Sequence, residues 1–251
     1  MSEPIARLFC LPYAGGSVAV YHRWARSMPP GLAVHPVELP GHGLRRDEPL
    51  LGDFDTLVGW IAQQLLATVT GPYVLFGHSL GALLAFETAR AVRDSLGEAC
   101  ALMVSGRNAP STHRAGGGSL HALPDAELVA ATGIWGGLPP ELDAFPALRA
   151  RSLRALRTDL LLAETYRRRP AAPLACPVTV FGGDEDELVD APGLAAWQSE
   201  TTGQTTVIIA PGGHLMVHDP RFAAMLGAQL RNILWRLAAP RSAVLPGIVP
   251  A

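Results

Sequence analysis

Six short apolar runs punctuate the chain, at residues 8–11, 34–39, 73–76, 102–104, 178–181 and 206–209. Within each, apolar residues follow one another without strict polar alternation, the pattern of strands buried on both faces. Between most of them, roughly at 21–27, 54–68, 82–93, 194–198 and 222–237, apolar residues recur at helical spacing. Strands alternating with helices predict an α/β fold with a mostly parallel central sheet and helices on both faces. Such a sheet opens its functional crevice beyond the carboxyl ends of its strands.

The alternation fails between about residues 107 and 173. A flexible Ala-Gly-Gly-Gly-Ser piece at 115–119 is followed by Leu123-Pro124-Asp125, which opens a helix with Asp125 or its neighbour as cap. Gly136-Gly137-Leu138-Pro139-Pro140 breaks the segment, and 146–168 reads as a second helix rich in leucine and arginine. A helical insertion between two late strands is expected to form a lid over the active end of the sheet. The expected organisation is one domain over 1–251, with the lid at about 107–173 and a loose, proline-bearing tail at about 239–251.

Candidate chemistry centres on Gly77-His78-Ser79-Leu80-Gly81, between the strand at 73–76 and the helix that follows. G-x-S-x-G at a strand-to-helix turn predicts a strained elbow that presents the serine hydroxyl at the top of the sheet. The amide of Leu80, at the helix start, points to the same place and donates to a developing oxyanion. The first strand runs into Pro12-Tyr13-Ala14-Gly15-Gly16-Ser17, where a second donor is needed. The Ala14 amide is assigned that role, with Tyr13 as the neighbouring alternative. A phosphate-binding loop is the weaker reading, because neither G-K-[ST] nor G-x-G-x-x-G is present.

Past the last strand, Pro211-Gly212-Gly213-His214 forms a glycine-bearing loop able to deliver an imidazole. His218 stands before the next helix, with Asp219 as cap and Pro220 at the first position. His42, in the turn Pro40-Gly41-His42-Gly43, precedes the serine and so falls outside the chain order serine, acid, histidine. One carboxylate of Asp184-Glu185-Asp186-Glu187, at the end of the fifth strand, is expected to orient the histidine. A metal-binding loop there would need further oxygen ligands at regular spacing, which do not follow.

Composition narrows the classes. Of 251 residues 49% are hydrophobic and 17% charged, and the formal net charge is −2, so no polyanion-binding surface is indicated and nucleic acid is not an expected partner. Met-Ser-Glu-Pro carries no basic region, and the apolar run from Ile5 is too short for a signal core or a span; a cytoplasmic protein without membrane partners is expected. Three cysteines, Cys10, Cys100 and Cys176, lie in or beside apolar runs and read as buried free thiols.

Six stretches together resemble the type II thioesterases of polyketide and nonribosomal peptide synthesis, stand-alone α/β-hydrolases related to fatty-acid synthase thioesterases. They are FCLPYAGGS at 9–17, ELPGHGLRRDEP at 38–49, FGHSLGALLAFE at 76–87, LHALPDAEL at 120–128, ETYRRRP at 164–170 and PVTVFGGDEDELV at 177–189. The likeness spans nearly the whole chain, and its lid stretches are more specific than G-x-S-x-G. It implies Ser79 as nucleophile, Asp186 as orienting acid, His214 as base, and the amides of Ala14 and Leu80 as the oxyanion hole. Asp184 stays the alternative acid. The implied activity is editing: hydrolysis of stalled or misprimed acyl groups from acyl or peptidyl carrier proteins, with small acyl thioesters as simpler substrates. No metal or redox cofactor is implied; the phosphopantetheine arm belongs to the substrate. Arg151, Arg154 and Arg157 recur every three residues, and Arg167-Arg168-Arg169 form a run; they read either as a solvated face or as a docking patch for an acidic carrier domain. A small-molecule carboxylesterase or lipase, and a non-catalytic binding protein on the same fold, are the rival readings. The chain departs from the family pattern at His42, where many members have arginine, and at Leu215-Met216, where an aromatic pair often follows the histidine.

Overall fold

The structure, a computed structural model, describes residues 3–24, 26–112, 119–133, 135 and 138–239. Six strands, β1 Ala6–Leu11, β2 Leu32–Pro36, β3 Tyr73–His78, β4 Ala101–Ser105, β5 Val178–Gly183 and β6 Thr205–Ala210, form one sheet in the order β2-β1-β3-β4-β5-β6. Every neighbouring pair is parallel. The helices are α1 Ala19–Trp24, α2 Phe54–Thr68, α3 Leu80–Leu96, α4 Asp125–Gly133, α5 Pro146–Thr165, α6 Ala191–Ala195 and α7 Pro220–Ala238.

Two cores explain why the strand runs are apolar throughout. Phe9, Leu11, Leu75, Leu102, Val104 and Val180 pack on one side with residues of α2 and α3. Leu8, Cys10, Val74, Phe76, Met103 and Phe181 pack on the other with α1 and α7. Successive side chains of a strand point to opposite faces, so a strand covered on both sides has no polar alternate. On the α1/α7 side, Phe222 meets Phe76 at 6.0 Å, Phe181 at 5.2 Å and Trp24 at 5.8 Å between ring centroids. Truncating a ring buried this way costs about 3–5 kcal/mol.

Local signals set the helix starts. The Asp53 carboxylate accepts from the Thr56 amide at 2.7 Å and caps α2, whose buried Leu57, Val58, Ile61, Ala62 and Leu65 fall on one stripe. Asp219 caps α7 by accepting from the Arg221 amide at 2.7 Å, with Pro220 in the first helical position as expected.

Some boundaries differ from expectation. β2 ends at Pro36 instead of reaching 39: proline offers no N–H to the ladder, and after the Val37 amide bonds the Cys10 carbonyl at 2.9 Å the chain leaves the sheet. Val37 and Leu39 remain buried in the core, so their apolar character reports burial and not strand pairing. The helix expected at 21–27 is Ala19–Trp24, and that expected at 194–198 is α6 followed by a 3-10 turn, Ala196–Glu200. Between β4 and β5 lie α4 and α5; α5 ends at Thr165 rather than 168. The glycine-rich stretch at 115–118, Gly136, Gly137 and the tail from 240 lie outside the described residues. All three cysteines are free, Cys10 and Cys176 buried and Cys100 half-buried. Burial pushes the Cys176 thiol up to about 12 and Cys10 higher still, so neither is a ready nucleophile.

Candidate active site

β3 is a central strand, and its carboxyl end turns into α3 at Ser79. With φ 54° and ψ −114°, Ser79 is the one non-glycine residue with positive φ among those described. Such a conformation costs on the order of 1–3 kcal/mol and persists only where its surroundings hold it. Here the Ser79 amide donates to the Ser105 carbonyl at 2.9 Å and the Ser79 carbonyl accepts from the Ala82 amide at 3.0 Å. The flanking glycines are steric requirements: a Cβ at Gly77 would overlap the Gly81 carbonyl, and one at Gly81 would overlap the Leu11 carbonyl of β1.

The structure brings the three expected side chains together. His214 Nε2 lies 3.0 Å from Ser79 Oγ, and its Nδ1 lies 3.0 and 3.1 Å from the two carboxylate oxygens of Asp186. Asp186 is buried, and its Oδ1 also accepts from the Leu188 amide at 3.0 Å. Asp184, the alternative acid, faces elsewhere: its Oδ1 accepts from the Gly212 amide at 2.7 Å, bracing the loop that carries His214. Leu80 is the first residue of α3, so its N–H has no intrahelical acceptor. Ala14 lines the same cavity as Ser79 and His214, and no hydrogen bond of its amide occurs among the described residues. Tyr13 is used differently: its hydroxyl is hydrogen bonded to His218 Nε2 at 2.7 Å, and its ring stands edge-on to His78.

Two further histidines stand near the site, His78 against the His214 ring and His218 on the cavity wall. His78 is fully buried, hydrogen bonded through Nδ1 to Ser105 Oγ at 2.7 Å, with its ring 5.0 Å from that of His214. Burial, with His214 beside it, holds His78 well below the usual histidine range, so it stays neutral. Burial, with Arg23 nearby, lowers His218 as well. A neutral pair adds no positive charge against a transient imidazolium on His214.

A cavity of about 1230 Å³ opens above these groups, walled by the Tyr13–Ser17 loop, the His42 turn, α4 and α5. Leu120, Leu138, Leu142, Leu156 and Leu160 give it apolar walls, and Arg46 and Arg151 also line it. Sequence reasoning missed several side chains that build these walls. Glu164 of α5 accepts from the Leu120 amide at 2.9 Å and pairs with His121; Asp159 of α5 binds His42 Nε2 and the Gly15 amide, each at 2.8 Å. No local signal marked either acid, because the partners of both come from other elements. Arg157 is not on a solvated face: its guanidinium donates to the carbonyls of His121 and Leu123 and to Asp125. Among the described residues no group of three or more His, Cys, Asp or Glu is placed to hold a metal ion.

A parallel sheet with helices on both faces, a serine on a strained strand-to-helix turn and a histidine bonded between it and a carboxylate are the marks of an α/β-hydrolase. The model of the Thioesterase domain family matches residues 6–230, and the chain belongs to that family; it is a thioester hydrolase. It is 31% identical to the gramicidin S biosynthesis protein GrsT of Aneurinibacillus migulanus, over 91% of this chain and 90% of that one. It is 36% identical to the thioesterase PikA5 of Streptomyces venezuelae, over 85% and 76% of the two chains. Among solved structures, RedJ, a thioesterase from the prodiginine biosynthetic pathway in Streptomyces coelicolor, superposes with a TM-score of 0.83 at 35% identity, covering 93% of this chain and 89% of that one. The family expected from the motifs is therefore the family found.

Proposed function

We propose that the protein hydrolyses acyl groups held as thioesters on the phosphopantetheine arm of acyl or peptidyl carrier proteins, clearing stalled or misprimed units from a polyketide or nonribosomal peptide synthase. The observation that carries this reading is the hydrogen-bonded series Ser79–His214–Asp186 beneath a leucine-walled cavity of about 1230 Å³. That is room for an acyl chain and the end of an extended arm. Relatives from gramicidin and prodiginine biosynthesis support the pathway class. Cytoplasmic localisation goes with the role; no helix among the described residues is long and apolar enough to cross a membrane.

In this mechanism Ser79 Oγ attacks the thioester carbonyl carbon while His214 Nε2 takes its proton. Charge moves to the carbonyl oxygen, which the amides of Ala14 and Leu80 receive, each worth about 3–4 kcal/mol. The C–S bond breaks, and the sulfur leaves with the proton from His214. Water then attacks the acyl-serine by the same route in reverse roles, releasing the acid and restoring the serine. Asp186 holds the His214 ring and stabilises the imidazolium formed in each half. No metal or redox group takes part. α4 and α5 act as the lid, and Arg46, Arg151 and the exposed Arg154 offer positive charge to an acidic carrier at its rim.

The test compares parent and Ser79→Ala on an acyl-carrier thioester and on an oxygen ester of the same acyl group. Ser79→Ala is expected to keep its circular dichroism and lose several orders of magnitude in kcat. The parent is expected to favour the carrier thioester in kcat/KM. Turnover by Ser79→Ala within tenfold of the parent would overturn the nucleophile, and preference for the oxygen ester would favour a carboxylesterase.

A further inference from the structure

His42 precedes the serine in the chain and takes no part in the series above, yet it is among the best-held side chains near it. Its ring is 6% exposed, and both nitrogens face oxygens: Nδ1 is 3.0 Å from the Pro40 carbonyl, Nε2 2.8 Å from Asp159 Oδ2. A carbonyl and an ionised carboxylate only accept, so the ring satisfies both when each nitrogen carries a proton. The neutral ring would turn a lone pair on one of these oxygens.

Asp159, 1% exposed on α5, uses the same Oδ2 to accept from the Gly15 amide at 2.8 Å. Gly15 directly follows Ala14. It adopts φ +72°, and a Cβ there would stand 3.1 Å from Cδ1 of Leu156, one turn back on α5. One carboxylate oxygen thus joins α5, the turn after β2 and the loop after β1.

We propose that protonated His42 and Asp159 form a latch that seats α5 on the loop bearing the Ala14 amide, which makes His42 a positioning residue for the oxyanion hole. This rests on the role given above to the Ala14 amide. The charged groups around the ring are Asp159 from α5; Glu38 before the turn, whose carboxylate also accepts from the amides of Val18 at 3.3 Å and Leu44 at 3.1 Å; and Arg46 and Arg151, which share the cavity wall with it. Burial opposes the cation, but the bond and charge of Asp159, the Pro40 carbonyl and Glu38 outweigh it and raise His42 above its ordinary value. A histidine raised in the folded state contributes fully below its unfolded pKa, and the contribution is lost as pH rises through the folded pKa. The latch is therefore closed in acid and released in alkali. The base, by contrast, must lose its proton to act. Activity occupies a window whose alkaline edge belongs to His42.

The test joins proton NMR of the full chain with kcat measured on a small soluble acyl thioester from about pH 6 to about pH 9. The His42 ring signal, assigned by its loss in His42→Gln, is expected to titrate above 6.5, and lower in Asp159→Asn than in the parent. The parent kcat should fall in alkali in step with that titration. His42→Gln should lose about 10- to 100-fold in kcat on the acid side with KM little changed, because a misplaced oxyanion donor acts on the transition state, and should lack the alkaline fall. His42→Arg, a permanent cation, should keep the parent's acid-side kcat and lack the alkaline fall. Titration of His42 at or below 6.5 overturns the latch, as does an alkaline fall that persists in both His42 variants. Should no form of the protein cleave thioesters at any pH, the proposed function fails on its own. The NMR titration and the exchange protection of the Gly15 amide, expected to drop as His42 loses its proton, still decide the latch.

Discussion

Asp184 and Asp186 carry the same chemistry two residues apart and are put to different tasks. Asp186 holds His214 Nδ1, whereas Asp184 holds the Gly212 amide. An asparagine at 184 keeps an acceptor oxygen for that amide; at 186 it loses the charge that favours the imidazolium. We expect Asp186→Asn to lose on the order of 10⁴ in kcat and Asp184→Asn to stay near the parent, measured on one acyl thioester with circular dichroism as the folding control. The reverse order would move the acid to 184. Ser79 was legible because strand, glycines and helix surround it within one local motif, and His214 because two glycines announce an exposed loop. The acid was less so, since four carboxylates crowd the turn and the family pattern had to single one out. The His42–Asp159 pair was not legible at all. Its members are 117 residues apart, and nothing local marks an acid among Leu160, Leu161 and Leu162 as buried when its partner comes from another element.

Elements were readable wherever burial and hydrogen bonding coincide. β3 and α2 fall where the apolar pattern puts them; β2 does not, because Val37 and Leu39 are core residues outside the sheet. The arginines of α5 show the same limit from the polar side. Spacing of three places them on one face, but it does not say what that face meets. Arg157 meets the start of α4, through the Leu123 carbonyl at 2.7 Å and Asp125 at 2.7 Å. Three acceptors fanned around one planar guanidinium are a geometry that lysine cannot reproduce. Arg157→Lys should therefore speed amide exchange across α4 and lower stability by about 1 kcal/mol, discounted for the exposure of Asp125, while the sheet amides keep their protection. Unchanged exchange in α4 would show that the guanidinium does not hold the helix.

At the scale of the whole molecule the formal charge is −2, yet Arg46 and Arg151 line the cavity. Arg151 pairs with Asp47 at 3.2 Å on the surface, a bond of little worth that a partner's carboxylate readily replaces. Arg154 is exposed. Replacing both by alanine should raise KM for carrier-bound substrate by about 3- to 10-fold, more at low salt, and leave a small soluble thioester unaffected. Equal effects on the two substrates would reduce these residues to a solvated face. The fold class was legible from the order of the runs, because parallel strands must be spaced by crossovers that show as helices. Which groups crossed the cavity was not, because that depends on how α4 and α5 return over the sheet. The parallel order has one more effect, on timing. His214 lies 28 residues past Asp186 and 135 past Ser79, beyond β6. During synthesis the serine elbow emerges from the ribosome long before the imidazole, so a nascent or prematurely terminated chain carries a nucleophile with no base. On the reading of Ser79 and His214 proposed above, hydrolysis waits until the chain has been made past β6 as far as His214.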